Sequence, residues 1–244
     1  MTKKSKMIVL ITAVILIGGL LLFVRFPKEP KPFLSDKQII KRINSFFSDA
    51  QPKVIQKKIF LDDTHVFVPF ISEDNGYGMS FWVWKDNKWR AASVNNGGQP
   101  QVWIGEEKSL IMWNMDPRDD VSEIKVFIRK DRGFMVSAGI ATYQPGIEMM
   151  HSITLQGKPY GVEKYPDNWR ILMNHYEKLQ AEDGQNEFFQ FNDSLQLAND
   201  FYDKDGNEVF PEHSSNSNSY TTGNNYVDFP FLIHVEEVEL EGTY

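Results

Sequence analysis

The tryptophans are the residues of this chain best suited to hold a ligand. Six of them, together with eighteen phenylalanines, stand among 244 residues. A pair of exposed indole rings, Trp84 with Trp89 or Trp103 with Trp113, would form a platform on which a sugar stacks. Aromatic side chains that alternate within strands usually form the core instead, because their large area stabilises such domains. These four are therefore the candidate ligand-binding residues, with core packing as the favoured interpretation.

The sequence carries none of the common catalytic motifs. It has no HExxH, no GxSxG, no glycine-rich phosphate loop and no cysteine. Ser122 and Lys125 match the Ser-x-x-Lys of penicillin-interacting enzymes, in which the serine opens a helix. The alternation of Ile124, Val126 and Ile128 here predicts a strand. The five histidines are scattered without metal-ligand spacing, so we expect no catalytic residue, no metal site and no cofactor.

Adjacent acidic residues give the alternative of an enzyme. Hydrolysis of a glycosidic bond needs two carboxylates at a fixed separation across the sugar. Acid pairs stand at 62–63, 106–107 and 119–120, each in a predicted turn. Adjacent acids in a turn are normally solvated, and only the fold would bring two pairs together. A hydrolase of cell-envelope polymers is therefore the less favoured hypothesis.

The segment FYDKDGNEVFPE, residues 201–212, partly fits a calcium-binding loop. Asp203, Asp205, Gly206 and Glu212 would occupy positions 3, 5, 6 and 12 of an EF-hand. Position 1 is Phe201 instead of an acidic ligand, and the flanking pattern is that of strands. The favoured interpretation is a β-hairpin that turns at 204–207, where Asp and Gly tolerate positive φ.

The charge of the chain is unevenly distributed. The formal net charge is −7, and residues 181–244 hold fourteen acidic residues against one basic residue, Lys204. Nucleic acids are bound largely through Lys and Arg at the phosphates. An excess of acid on this scale excludes nucleic acid as a partner.

An apolar run near the N-terminus determines where we expect the protein to work. Residues 7–24, MIVLITAVILIGGLLLFV, carry no charge and would span about 27 Å as a helix. That length is close to the roughly 30 Å hydrocarbon core of a bilayer. Bulky residues at its end leave no small-residue cleavage site, so we expect a retained transmembrane anchor in contact with membrane lipid.

Charge and proline content predict the orientation and spacing of this anchor. The basic residues 1–6 favour a cytoplasmic N-terminus, with the bulk of the chain extracytoplasmic. The segment RFPKEPKP, 25–32, predicts a short, extended stalk because three prolines restrict its backbone. An extracytoplasmic domain would then occupy 33–180, with an acidic, β-rich region at 181–244 packed on the same domain.

The remaining pattern predicts an α+β fold. Two amphipathic helices are expected, at about 36–48 and 166–180; the first opens with a capping box formed by Ser35 and Gln38. Between 52 and 155, short β-branched and aromatic runs alternate with turn signals, which predicts antiparallel strands. Strand patterns return at 188–191, 194–210 and 226–240. The polar segment 212–225 is expected to be mobile.

One hairpin can be predicted residue by residue. If Asp86 and Asn87 form a two-residue loop in MSFWVWKDNKWRAASV, the strands pair in a fixed register. The expected pairs are Lys85 with Lys88, Trp84 with Trp89, Trp82 with Ala91 and Phe81 with Ala92. Trp84 and Trp89 would form a close, non-hydrogen-bonded pair.

These patterns favour a membrane-anchored, extracytoplasmic protein that acts as a non-catalytic binding or accessory module at the cell surface. Two alternatives stay open: the envelope hydrolase, and an accessory subunit of a membrane protein complex. As an accessory subunit, the protein would have a membrane or envelope protein as its partner.

Overall fold

The computed structural model describes most of the chain after the N-terminal apolar run. The described residues are 30–105, 108–137, 139–183, 195–215, 221–223 and 232–234. The predicted anchor at 7–24, the first part of the stalk, the acid pair 106–107 and the predicted strand at 188–191 lie outside these ranges. Within them, no helix combines the length and apolar character that crossing a bilayer requires.

The described residues form two α-helices, α1 (Asp36–Phe46) and α2 (Asp167–Asp183). The predicted capping box is present at the start of α1, where the backbone N–H of Ser35 donates to Gln38 Oε1 at 2.9 Å. This helix ends two residues before the predicted position, because Phe47 takes an extended conformation and a 3-10 turn follows. α2 begins one residue later than predicted and runs three residues further.

The described strands cover nearly all the regions that the alternation predicts between 52 and 155. In chain order they are β1 Pro52–Ile55, β2 Ile59–Phe60, β3 His65–Ser72, β4 Tyr77–Lys85, β5 Lys88–Asn95, β6 Gln101–Ile104, β7 Ser109–Asn114, β8 Glu123–Lys130, β9 Gly133–Ser137, β10 Ile140–Gln144, β11 Ile147–Thr154, β12 Tyr160–Lys164, β13 Gln196–Tyr202, β14 Thr221–Gly223 and β15 Leu232–His234.

These strands form three larger sheets and one two-stranded arm. Sheet A has the order β1-β3-β4-β5-β14, with β2 beside β3; sheet B is β12-β7-β6; sheet C is β11-β8-β13-β15; β9 and β10 pair with each other. Every described pairing is antiparallel except that of β13 with β15. Mainly antiparallel sheets with two helices, a mostly β form of the α+β class, are therefore confirmed.

The elements stack in layers separated by apolar clusters. Ile39 of α1 lies in a cluster on the outer face of sheet A. Phe67 of sheet A and Met112 of sheet B share a second cluster between these sheets. Ile111, on the other face of sheet B, joins Ile128 of sheet C in a third cluster, to which α2 also contributes. The order of layers is thus α1, sheet A, sheet B and sheet C.

The predicted hairpin is β4–β5, and its tip is as expected. Asp86 and Asn87 have φ angles of 52° and 60°, as a two-residue type I′ turn requires. Three of the predicted pairs are present: Lys85 with Lys88, Trp84 with Trp89, and Trp82 with Ala91. The fourth is wrong, since Phe81 pairs with Ser93. A β-bulge in β5 accommodates Ala92 as an extra residue.

Part of the polar segment 212–225 is ordered, contrary to expectation. Ser214 is completely buried, and β14 pairs antiparallel with β5. The preceding turn is confirmed: the backbone N–H of Asp203 donates to the carbonyl of Asn207 at 2.9 Å. Gly206 there has a φ of 82°.

Candidate ligand-binding cleft

Trp103 and Trp113 do not form a common surface. Each is only 5% exposed. They lie on opposite faces of sheet B, because Trp103 packs in the cluster against sheet A and Trp113 in the cluster against sheet C. The His65 ring lies 5.0 Å from that of Trp103. Their aromatic area thus serves two different core layers.

Trp84 and Trp89 are brought together as the hairpin register predicts. Their ring centroids are 5.6 Å apart with an interplanar angle of 64°, which is an edge contact instead of a stack. Trp89 is 3% exposed, whereas Trp84 is half-buried. Trp89 Nε1 donates to the carbonyl of Lys31 at 2.8 Å. The indole of Trp89 therefore fixes the end of the proline-rich stalk on sheet A.

A cleft of about 400 Å³ lies beside this tryptophan, between α1 and the edge of sheet A. The volume falls at the lower end of the roughly 300 to 1,000 Å³ typical of small-molecule sites. Its lining residues come from one turn of α1 and four consecutive residues of β5: Arg42, Ser45, Phe46, Lys88, Trp89, Arg90 and Ala91.

The hairpin geometry explains why α1 reaches a backbone carbonyl of β5. The backbone N–H of Trp84 donates to the carbonyl of Thr64 on the β3 side, at 2.7 Å. Trp89, its non-hydrogen-bonded partner, consequently directs its own N–H and carbonyl away from β4. Arg42 Nη1 donates to this carbonyl. Among the residues that the structure describes, β14 pairs with residues 93–95 of β5, and the cleft lies beside residues 88–91, nearer the hairpin tip.

The basic residues of the lining do not share one face of β5. Trp89 and Ala91 pack in the cluster that contains α1, so alternation along the strand places the side chains of Lys88 and Arg90 on the opposite face. Arg90 Nη2 is 2.8 Å from Asp86 Oδ2. The Nε of Arg90 is buried and makes no hydrogen bond to any residue that the structure describes. Arg42, which donates to the carbonyl of Trp89, is the basic residue that α1 contributes to the cleft.

No pattern in the sequence indicated this cleft. Lys88 and Arg90 alternate with Trp89 and Ala91 along β5, a pattern that is typical of any half-exposed strand. Arg42 lies 47 positions before Trp89 in the chain. Only the docking of α1 onto sheet A brings Arg42 next to Trp89.

A second polar group contains Asp, His and Ser, but its geometry is structural. Asp119 Oδ1 accepts from the backbone N–H of His213 at 2.9 Å and lies 2.8 Å from its ring Nδ1. Asp119 Oδ2 accepts from the N–H and the hydroxyl of Ser214 at 2.9 and 2.6 Å. A nucleophilic serine would instead bond to the histidine ring. The group holds the C-terminal segment against the loop that follows β7.

Asp116, next to this group, is placed to make stability depend on pH. Burial raises the pKa of Asp116, but hydrogen bonds from the side chain and backbone of Arg118, together with its charge, outweigh burial and hold the pKa below the ordinary 3.8. Arg118 N and Nε lie 2.9 and 3.0 Å from Asp116 Oδ1. The folded state therefore favours the ionised carboxylate.

We expect Asp116 to stabilise the fold at neutral pH and to lose this contribution in acid. Its stabilisation is complete above the unfolded-state pKa of about 3.9 and disappears as the pH falls through the lower folded-state pKa. The free energy of unfolding of the Asp116→Asn variant should accordingly decrease less below about pH 4 than that of the wild type. Urea titrations at pH 6, 4 and 3 would measure this, and parallel pH curves for the two proteins would contradict it.

The acid-rich turn at 203–207 uses its carboxylate internally. Asp203 Oδ1 accepts from the N–H groups of Asp205 and Asn207 at 2.8 and 2.9 Å, and Asp203 Oδ2 accepts from Asn207 Nδ2 at 2.9 Å. Hydrogen bonds from Asn207 lower the pKa of Asp203. Across the described ranges, no three His, Asp or Glu side chains are close enough together to hold a metal ion.

The chain matches no protein-family model, no curated protein and no solved structure with which it was compared.

Proposed function

We propose that this protein is a membrane-anchored, extracytoplasmic, non-catalytic binding or accessory module of the cell surface, and that the cleft between α1 and β5 is its binding site. The hydrogen bond from Trp89 Nε1 to the carbonyl of Lys31 carries this proposal. It joins the wall of the cleft to the point where the stalk enters the folded domain.

The chemistry of the lining supports binding without catalysis. Its described residues are of basic, aromatic, serine and alanine type, and include no His, Asp or Glu that would act as a general acid or base. Ser45 Oγ already donates to the carbonyl of Lys41 at 2.8 Å, so its hydroxyl is held against its own helix. Such a site retains a ligand and leaves it chemically unchanged.

The length of the stalk supports a site close to the membrane. Lys31 is the seventh residue after the end of the apolar run at 24. At about 3.1 Å per residue, an extended segment of this length spans roughly 22 Å. A domain tethered on so short a spacer holds the cleft near the extracytoplasmic surface of the membrane.

Fractionation of cells that produce the full chain tests the anchor. We expect the intact polypeptide in the membrane pellet after alkaline carbonate washing, with the folded domain digested by protease added outside the cells. The control variant combines Ile15→Arg with Leu16→Arg and so places two charges at the centre of the apolar run. Each charge costs about 3 kcal/mol of membrane-insertion free energy, so the variant chain should no longer be retained in the membrane pellet. Recovery of a soluble wild-type chain that lacks its first two dozen residues would contradict the proposal.

A further inference from the structure

We infer that the arm formed by β9 and β10 inserts into the interfacial layer of a lipid bilayer. Phe134, Val136, Ile140 and Tyr143 of this arm are 68, 61, 70 and 62% exposed. They belong to none of the core clusters found among the described residues. Large apolar patches rarely face water in a soluble protein, and they mark contacts with proteins or membranes. The inference rests on the proposed function only in placing the domain close to a membrane.

Both faces of the arm expose apolar side chains. Phe134 stands opposite Tyr143, and Val136 follows two residues along β9, so these three residues share one face. Ile140, which stands opposite Ser137, lies on the other face. A folded protein partner would cover one face of this ribbon and leave the other in water. A lipid layer surrounds the ribbon and therefore accounts for apolar side chains on both faces.

Charge is confined to the base of the arm. Residues 133–146 include no charged side chain, and they directly follow Lys130, Asp131 and Arg132. Charged groups are costly to remove from water, whereas uncharged side chains enter the membrane interface at low cost. The two basic residues would stay among the headgroups, where anionic lipids attract them. Tyr143 lies one residue from this end of the arm, at the level that tyrosine favours in membranes.

The backbone of the arm limits how deeply it can enter the bilayer. Among the described strands, β9 and β10 pair only with each other, so each has one edge without a strand partner. Backbone N–H and C=O groups without a partner are costly in hydrocarbon. We therefore expect the arm to lie at the boundary between headgroups and acyl chains, about 5 to 10 Å deep.

The proposed anchor makes even a weak contact of the arm effective. An extended stalk of roughly 22 Å would hold the domain at the bilayer. The arm itself is five residue pairs long, which corresponds to about 17 Å. Tethering makes the second contact intramolecular and so raises the effective concentration of lipid around the arm. The arm can thus remain inserted although it buries only a few apolar side chains.

The absence of cysteine from the chain allows one label to report on the arm. Ile140→Cys carries an NBD fluorophore on the arm, and Lys204→Cys carries it on the exposed turn at 203–207 as a control. Both full-length proteins are reconstituted at low density in vesicles of phosphatidylcholine and phosphatidylglycerol. Lipids that carry a nitroxide near the headgroup should quench the label at 140 at least about threefold more than the label at 204.

Three results of this measurement would overturn the inference. The first is equal quenching at the two positions. The second is stronger quenching at 140 by a nitroxide near the end of the acyl chain than by one near the headgroup. The third is a change in NBD emission at 140 that grows with protein density but shows no quenching by lipid, which would assign the arm to a second copy of the chain.

Matched variants test the two aromatic rings of the arm. Added to Ile140→Cys, the pair Phe134→Ser and Tyr143→Ser should lower the ratio of inserted to free arms about tenfold or more. Phe210→Ser removes a phenylalanine that is 59% exposed outside the arm, and it should change this ratio less than about twofold. Equal effects of the two changes, or no effect of the double change, overturn the inference.

Two further measurements keep the interpretation unambiguous. Thermal unfolding confirms that each labelled variant is folded. Alkaline carbonate washing of the same vesicles reports on the anchor separately. A chain that is washed off contradicts the proposed function, whereas a chain that is retained with an unquenched arm contradicts only this inference.

Discussion

The Asp119→Asn variant is expected to lose about 3 kcal/mol of unfolding free energy. The carboxylate is buried and accepts from four donors, two on His213 and two on Ser214. An amide replaces one accepting oxygen by an NH₂ group that points at protein donors. Buried donors that lose an acceptor each cost about 1 to 3 kcal/mol.

The neighbouring residue provides a control with the same change of chemistry. Asp120 is exposed, so Asp120→Asn should alter the stability by less than about 0.5 kcal/mol. Urea unfolding of the full chain in nonionic detergent, followed by tryptophan fluorescence, measures both variants. If the two variants unfold at the same urea concentration, Asp119 does not hold the C-terminal segment as we describe.

The features that sequence predicted well are those decided by neighbouring residues. The capping box at Ser35 depends on a residue three positions away, and the tip of β4–β5 depends on Asp86 and Asn87 tolerating positive φ. The register fails one step beyond Trp82, where the sequence reads Ala91-Ala92. Two small apolar residues in succession fit either face of a strand, so alternation cannot fix which of them the bulge contains.

The features that sequence could not predict depend on distant contacts. Aromatic type alone did not reveal that Trp103 and Trp113 belong to different core layers, because this follows from the stacking of three sheets. Ser214 lies in a run of polar residues that predicts a mobile loop, yet its acceptor Asp119 is 95 positions earlier. The cleft likewise depends on where α1 lies across sheet A.

Gly98→Ala is expected to cost at least about 3 kcal/mol of unfolding free energy, and it tests how closely the loop between β5 and β6 packs on β7 of sheet B. A Cβ at Gly98 would overlap the backbone carbonyl oxygen of Asn114 and lie 2.6 Å from its carbon. The backbone N–H of Asn114 donates to the carbonyl of Gly98 at 2.9 Å. The side-chain Nδ2 of Asn114 donates to the carbonyls of Phe70 and Gly78 at 3.0 and 2.7 Å. Neither backbone segment can move to admit a methyl group without breaking these bonds, which join β7 to the β5–β6 loop and to sheet A.

Gly157→Ala separates crowding from backbone strain. Gly157 has a φ of 70°, and no atom lies within 4 Å of the position that an alanine methyl group would take, so alanine there costs only about 1 kcal/mol for the left-handed conformation. Urea midpoints of the two variants measure the difference. Should Gly98→Ala prove too unstable to purify, Gly98→Ala combined with Asn114→Gly should not restore stability, because the overlap is with the main chain of residue 114. Equal costs for the two glycine variants would mean that the β5–β6 loop does not approach β7 this closely.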